Sequence, residues 1–224
     1  MAVDSLGSYQ REQTEIKNSA PREHDFSRDT VLIAVFGALW GLMEATLGVF
    51  LKGLRIPMGG AILTAMATII LLTGRYYVRR RGSVLMMGAV AAVLKLFSIG
   101  TVIAGPFMAI LLEALFAEII ISILGVNRFS YILTGMFLML YTIVHPFIAQ
   151  GLIFGDDIYT VYLETFRKAA QLLKLHANHL GLVLALYGGI HALFGSVAGW
   201  LGYRLPEKVR REMQQLEKSA EELS

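Results

Sequence analysis

The run TVLIAVFGALWGLMEATLGVFL, residues 30–51, decides the class of this chain. It carries one charged side chain, Glu44, in an otherwise apolar stretch. At about 1.5 Å per helical residue it is long enough to cross a hydrocarbon core of roughly 30 Å. Five further apolar runs follow: Pro57 to Gly74, Ser83 to Ala104, Phe107 to Leu124, Phe129 to about Phe154, and about His179 to Leu205. Punctuation separates them. Lys52 to Ile56 joins the first two, a basic stretch from Arg75 to Arg81 follows the second, Gly105-Pro106 breaks the third from the fourth, and Gly125 closes the fourth. Gly and Pro at such places end or start helices. Pro146 inside the fifth run predicts a kink.

The composition agrees with this reading. The 224 residues are 55% apolar and 17% charged, with mean hydropathy +0.59. Soluble domains run at about 45–50% apolar with Gly included and about 25% charged. A disordered chain, a coiled coil and a nucleic-acid-binding domain are excluded as first readings. The expected fold is all-α: a polytopic membrane protein with a bundle of six transmembrane helices over residues 30–205. A polar tail over 1–29, poorly ordered and without the apolar core of a signal peptide, precedes the bundle. A charged tail over 206–224 follows it, with a weak apolar stripe of Val209, Met213, Leu216 and Ala220. There is no Cys, and so no disulfide, thiolate metal site or Cys redox motif.

Between the fifth and sixth runs, Ile158, Tyr162, Phe166, Ala169 and Leu173 recur at helical spacing, with Arg167, Lys168, Gln171 and Lys174 off that stripe. The pattern predicts an extracellular amphipathic helix over 158–175, either a lid or an interfacial anchor. Orientation follows from the positive-inside bias. With the N-terminus in the cytoplasm, the outer segments hold Lys52, Arg55, Arg167, Lys168 and Lys174, Lys95 lies within a span, and the other fourteen of the 20 Lys and Arg fall inside. Both termini are therefore expected in the cytoplasm, and the chain in the cytoplasmic (inner) membrane.

Charges within spans cost roughly 2.5–3.5 kcal/mol each on insertion scales. This chain keeps Glu44, Lys95, Glu113 and Glu118 there, with His145 and His191. Lys95 lies about 18 Å along the third span and Glu113 about 12 Å in from the outer end of the fourth, which is the same level in a roughly 30 Å core. A Lys95–Glu113 ion pair is expected. Glu44, Lys95, Glu113 and His145 are the candidate substrate-binding residues of an outward pocket; the plainer alternative is an ion pair that only joins two helices. His191 reads as a packing histidine. Small residues at intervals of four, Gly37-Gly41-Ala45 and Ala34-Ala38 on the first span, allow close helix approach. No HExxH, DDxxD, GxSxG or Walker motif is present, so no enzyme, metal site or cofactor is expected.

Six spans, about 200 residues and no ATPase motif resemble the substrate-binding S component of energy-coupling factor (ECF) transporters. The strip Ala34-Val35-Phe36-Gly37-Ala38, the entry Ile56-Pro57-Met58-Gly59-Gly60 and the Gly105-Pro106 break carry the likeness. It implies a vitamin or vitamin precursor as substrate, lipid around the chain, and a T component with two ATPase subunits as partners. Ala34 and Ala38 match the Ala-xxx-Ala pattern that meets the T component in that family. The family's site lies under the loop joining spans one and two. Here that loop is short, and the long outer segment is Asp156 to Asn178. A stand-alone proton- or ion-coupled carrier and a structural membrane subunit remain open beside this reading.

Overall fold

The computed structural model describes residues 23–54, 58–97, 104–154, 160 and 177–222. Among these, six helices carry the fold: α1 (Glu23–Gly53), α2 (Gly59–Tyr77), α3 (Ser83–Leu96), α4 (Ala104–Leu124), α5 (Arg128–Phe154) and α6 (Ala177–Glu222). The predicted amphipathic segment 158–175 and most of the predicted polar tail lie outside the described residues.

All described secondary structure is helical, and five of the helices are long and apolar enough to cross a membrane. That is the build of a multi-pass membrane protein. Their outer faces agree with it. Val31, Val35, Leu39 and Leu42 on α1 are exposed, as are Leu184, Leu186, Leu193 and Phe194 on α6. Water-soluble monomers rarely leave so much contiguous apolar surface uncovered.

Three boundaries differ from the sequence expectation. Helix α1 begins at Glu23, so the start of the chain joins the first helix earlier than residue 30. The third run was expected to reach Ala104, but α3 ends at Leu96. Its 14 residues make about 21 Å of helix, short of a full crossing. The sixth run continues as one helix through Pro206 to Glu222. Pairs at i,i+4, Glu207–Arg211 and Lys208–Glu212, support that extension. At 46 residues, α6 is roughly 69 Å long.

Around the bundle the helices run α1, α3, α4, α5, α6 and α2, with α2 closing the ring on α1 and leaning inward against α3 and α5. Trp40, Leu71, Leu72, Met87, Ile121, Tyr131 and Leu138 fill its centre. The tightest seam joins α5 to α6. A methyl group added at Gly135 would collide with the backbone of Gly195, and one at Gly199 with the backbone of Tyr131. Only glycine permits that approach, the device by which helices associate in lipid. On α1, Gly37 and Gly41 play the same part against α3: a Cβ at Gly37 would sit 2.7 Å from the Met87 carbonyl.

The contacts also order the ends. Phe36 stacks on Tyr77, and Tyr203 packs edge-on against both Tyr76 and Tyr131. The first turns of α1, the α2–α3 turn, the start of α5 and the later part of α6 therefore share one end of the bundle, termed the near end. Glu44, Thr64 and Lys95 lie toward the opposite, far end.

Candidate functional site

Five of the six helices contribute charged or polar side chains to a buried cluster in the far half. Lys95 sits in the last turn of α3, where a cation is favoured by the helix dipole. Its ammonium donates to the Glu44 backbone carbonyl at 2.6 Å and lies 3.5 Å from Glu44 Oε2. Both side chains are almost fully enclosed. On the next pair of helices, Thr64 of α2 donates through Oγ1 to Glu113 Oε1 of α4 at 2.8 Å. Glu113 is buried and within electrostatic range of Glu44.

The expected Lys95–Glu113 ion pair is not formed; Lys95 pairs with Glu44 instead. Helix α3 packs along α1 through Gly37 and Gly41, and that seam turns Lys95 toward Glu44. Glu113 faces α2 and takes the Thr64 hydroxyl.

The fifth helix brings Tyr141 and His145, one turn apart with ring centroids 5.3 Å apart. Tyr141 is within electrostatic range of Glu113 and packs edge-on against Phe116. The Tyr141 hydroxyl and His145 Nε2 are both buried without a hydrogen-bond partner. One turn along α1 from Glu44, the Trp40 indole N–H is in the same condition. Buried polar atoms are nearly always paired, so these three ask for an explanation, as do Arg75 Nε and the Tyr131 hydroxyl toward the near end. His145 is half-buried and approaches the cluster through Tyr141.

The cluster is unbalanced. Among the described residues, Glu44 and Glu113 bring two carboxylates against one ammonium, beside polar atoms with hydrogen-bonding capacity to spare. Gly48 packs closely against the ion pair. A Cβ there would lie 3.3 Å from Lys95 Nζ and 3.5 Å from Glu44 Oε2. Thr64, Gly48 and Tyr141 were not singled out in the sequence. Tyr141 had a signal, its i,i+4 spacing to His145; Thr64 and Gly48 look like ordinary members of apolar runs.

Other charged residues have different duties. Glu118 accepts hydrogen bonds from the Gly82 and Val84 backbone N–H groups, at 2.7 and 2.9 Å, and from Ser122 Oγ at 2.6 Å. It caps the start of α3, with Arg75 at 4.0 Å. His191 is buried, with Nδ1 3.0 Å from the Tyr187 carbonyl of its own helix. Ala34 and Ala38 lie on the exposed side of α1, on a face with Val31, Val35 and Leu42. Among the described residues, no three His, Asp or Glu side chains converge as a metal site would require.

No protein-family model, curated protein or solved structure matches the chain.

Proposed function

We propose that the chain is a membrane substrate-binding subunit, comparable to the S component of an ECF-type importer. On this reading it captures a small polar metabolite at the cluster of Glu44, Lys95, Glu113, Tyr141 and His145. The observation that carries the reading is the charge and hydrogen-bond imbalance of that cluster. A ligand bearing a positively charged or hydrogen-bond-donating group offsets the second carboxylate and meets the unpartnered Tyr141 and His145 atoms. A zwitterionic vitamin or vitamin precursor fits that chemistry.

On the same reading all six helices cross the membrane, with both termini in the cytoplasm and the far end outside. The positive-inside bias supports this. The near end carries Arg75, Arg79, Arg80, Arg81 and Arg128. The far half of the bundle would then open to the exterior. A single Cys in place of Lys174 is expected to label from outside intact cells and one in place of Arg80 is not; the reverse pattern overturns the topology.

Delivery then needs a T component and two ATPase subunits, for which the exposed Ala34–Ala38 strip is the docking face. Replacing Ala34 and Ala38 with Leu is expected to abolish uptake and to leave ligand binding intact. Native mass spectrometry of the purified protein tests the binding reading directly. A retained small molecule is expected that disappears in Glu113→Gln; a wild-type protein that never retains or binds a metabolite sinks it. A second reading, a proton-coupled carrier, draws on the run of titratable groups Glu44, Glu113, Tyr141 and His145 across three helices. Uptake driven by a proton gradient with this chain alone in vesicles selects the carrier. Co-purification with the ATPase module selects the importer.

A further inference from the structure

The near end holds a second polar feature, independent of the far cluster. A cavity of about 200 Å³ opens between the start of α5 and the later turns of α6, lined by Arg128, Trp200, Tyr203, Arg204, Glu207 and Arg211. Three guanidinium groups face one carboxylate there. Glu207 is already committed. It accepts from Arg211 at 2.7 Å and lies 3.5 Å from Arg128. It thereby holds both guanidinium groups at one wall of the cavity.

Arg204 stands apart from that pairing. Its guanidinium stacks over the Trp200 ring, 4.9 Å from the centroid, and Arg128 lies over Tyr203 at 5.7 Å. No carboxylate among the described residues comes within 4.0 Å of Arg204. The cavity therefore carries a net charge of two positives on fixed, planar donors. Planar guanidinium groups suit the oxygens of a phosphate, which they bind in a forked geometry.

We propose that this cavity binds a phosphate-bearing anion, and that its occupant is the headgroup of an anionic membrane phospholipid. Location favours the lipid. The cavity sits where the apolar run of α6 ends at Leu205 and the charged extension begins. Trp200 and Tyr203 stand at that boundary, with Tyr76, Tyr77 and Tyr131 beside them in a band of aromatic rings. Aromatic residues of this kind mark headgroup level. The volume lies below the roughly 300–1,000 Å³ of sites that enclose drug-sized ligands, so a headgroup fits better than a whole metabolite. A bound phosphate would tie Arg128 of α5 to Arg204 of α6 just beyond the glycine seam, and so fasten the α5–α6 pair where it leaves the membrane.

The test uses the full chain in detergent, followed by native mass spectrometry. Phosphatidylglycerol, phosphatidylcholine and inorganic phosphate are titrated separately. Wild type is expected to take up one phosphatidylglycerol in strong preference to phosphatidylcholine. Each Arg removed should weaken that binding about fivefold. Arg204→Gln is the deciding variant, because Arg204 is exposed and makes no ion pair that folding needs. Arg210→Gln, exposed on the same helix but outside the cavity, should change nothing. Arg204-dependent binding in the phosphatidylglycerol arm assigns the lipid. The same dependence with inorganic phosphate alone keeps the phosphate site and makes a soluble phosphate its occupant. No binding by wild type in either arm, or binding that Arg204→Gln leaves unchanged, overturns the proposal.

Discussion

Two buried charged clusters sit at opposite ends of the bundle, and they are built on different principles. At the near end Arg75 donates to the Val78 and Arg80 carbonyls and to Ser83 Oγ. Glu118 stands beside it and takes two backbone N–H groups and the Ser122 hydroxyl. One cation meets one anion, and the carboxylate's lone pairs go to the start of α3. At the far end, among the described residues, one cation, Lys95, stands with two carboxylates, while Tyr141 and His145 keep unpartnered polar atoms. Arg75 Nε and the Tyr131 hydroxyl lack partners at the near end too, so the two ends differ in charge. Buried charge that is balanced across a pair holds helices together. Buried charge left out of balance adds nothing to folding, and its natural account is a task outside folding.

The contrast breaks first at Glu118. Glu118→Ala leaves Arg75 uncompensated and two N–H groups at the head of α3 without acceptors. Breaking a buried pair from one side costs about 3–5 kcal/mol, and Glu118→Ala is expected at the top of that range. The measure is loss of monodisperse protein on size-exclusion chromatography and a large drop in melting temperature. A Glu118→Ala protein as stable as wild type would erase the distinction between the two ends.

The next effect belongs to Lys95. Lys95→Met removes the cation paired with Glu44, and a loss of about 3 kcal/mol is expected. The double variant Lys95→Met/Glu44→Gln should recover most of that loss, and Lys95→Met/Glu113→Gln less of it. Equal recovery by the two doubles would mean that Lys95 serves both carboxylates alike. Glu113→Gln on its own comes third. The amide still accepts from Thr64, so a stability change within about 1 kcal/mol is expected, together with loss of ligand binding. A variant that keeps its ligand, or that unfolds, moves Glu113 into the structural class with Glu118.

These pairs also show what was legible in advance. Depth can be read from a sequence, because helical rise is constant. The rise places Lys95, Glu113 and Glu44 in one half of the bundle, and Lys95 does meet Glu44. Direction around the helix axis cannot be read that way. It depends on which helices share a seam, and the α1–α3 contact through Gly37 and Gly41 gave Lys95 to Glu44. Five of the six apolar runs became helices long enough to cross a membrane. The third run's helix ends at Leu96 with Phe97 as its cap, and the rest of that run lies outside the described residues up to Ala104. The far extent of α6 was hidden. Pro206 and a charged composition look like an end, but i,i+4 ion pairs carry the helix onward. In the sequence Arg75 is one of a basic run, and only the turn at Gly82 brings it back against Ser83 and Glu118.

The smallest expected effect on stability is at Gly48, and it separates space from charge at the far end. Gly48 lies within α1, where alanine is favoured over glycine by roughly 1 kcal/mol. A Cβ there would stand 3.3 Å from Lys95 Nζ and 3.5 Å from Glu44 Oε2 and Leu63 Cδ1. The nearest of these atoms is the tip of a flexible side chain, which can yield by a few tenths of an ångström. The propensity gain and the crowding then nearly cancel, and Gly48→Ala should melt within a few degrees of wild type. Its effect on function should be larger. The added methyl crowds the Glu44–Lys95 pair and pushes the ammonium aside. Affinity for whatever metabolite the wild type retains should fall about tenfold, which is a loss of about 1.4 kcal/mol. Gly48→Ala leaves every charge in place, so weakened binding at unchanged stability shows that the ligand occupies the space above the pair. Unchanged binding would move the ligand away from Glu44 and Lys95, toward Glu113, Tyr141 and His145.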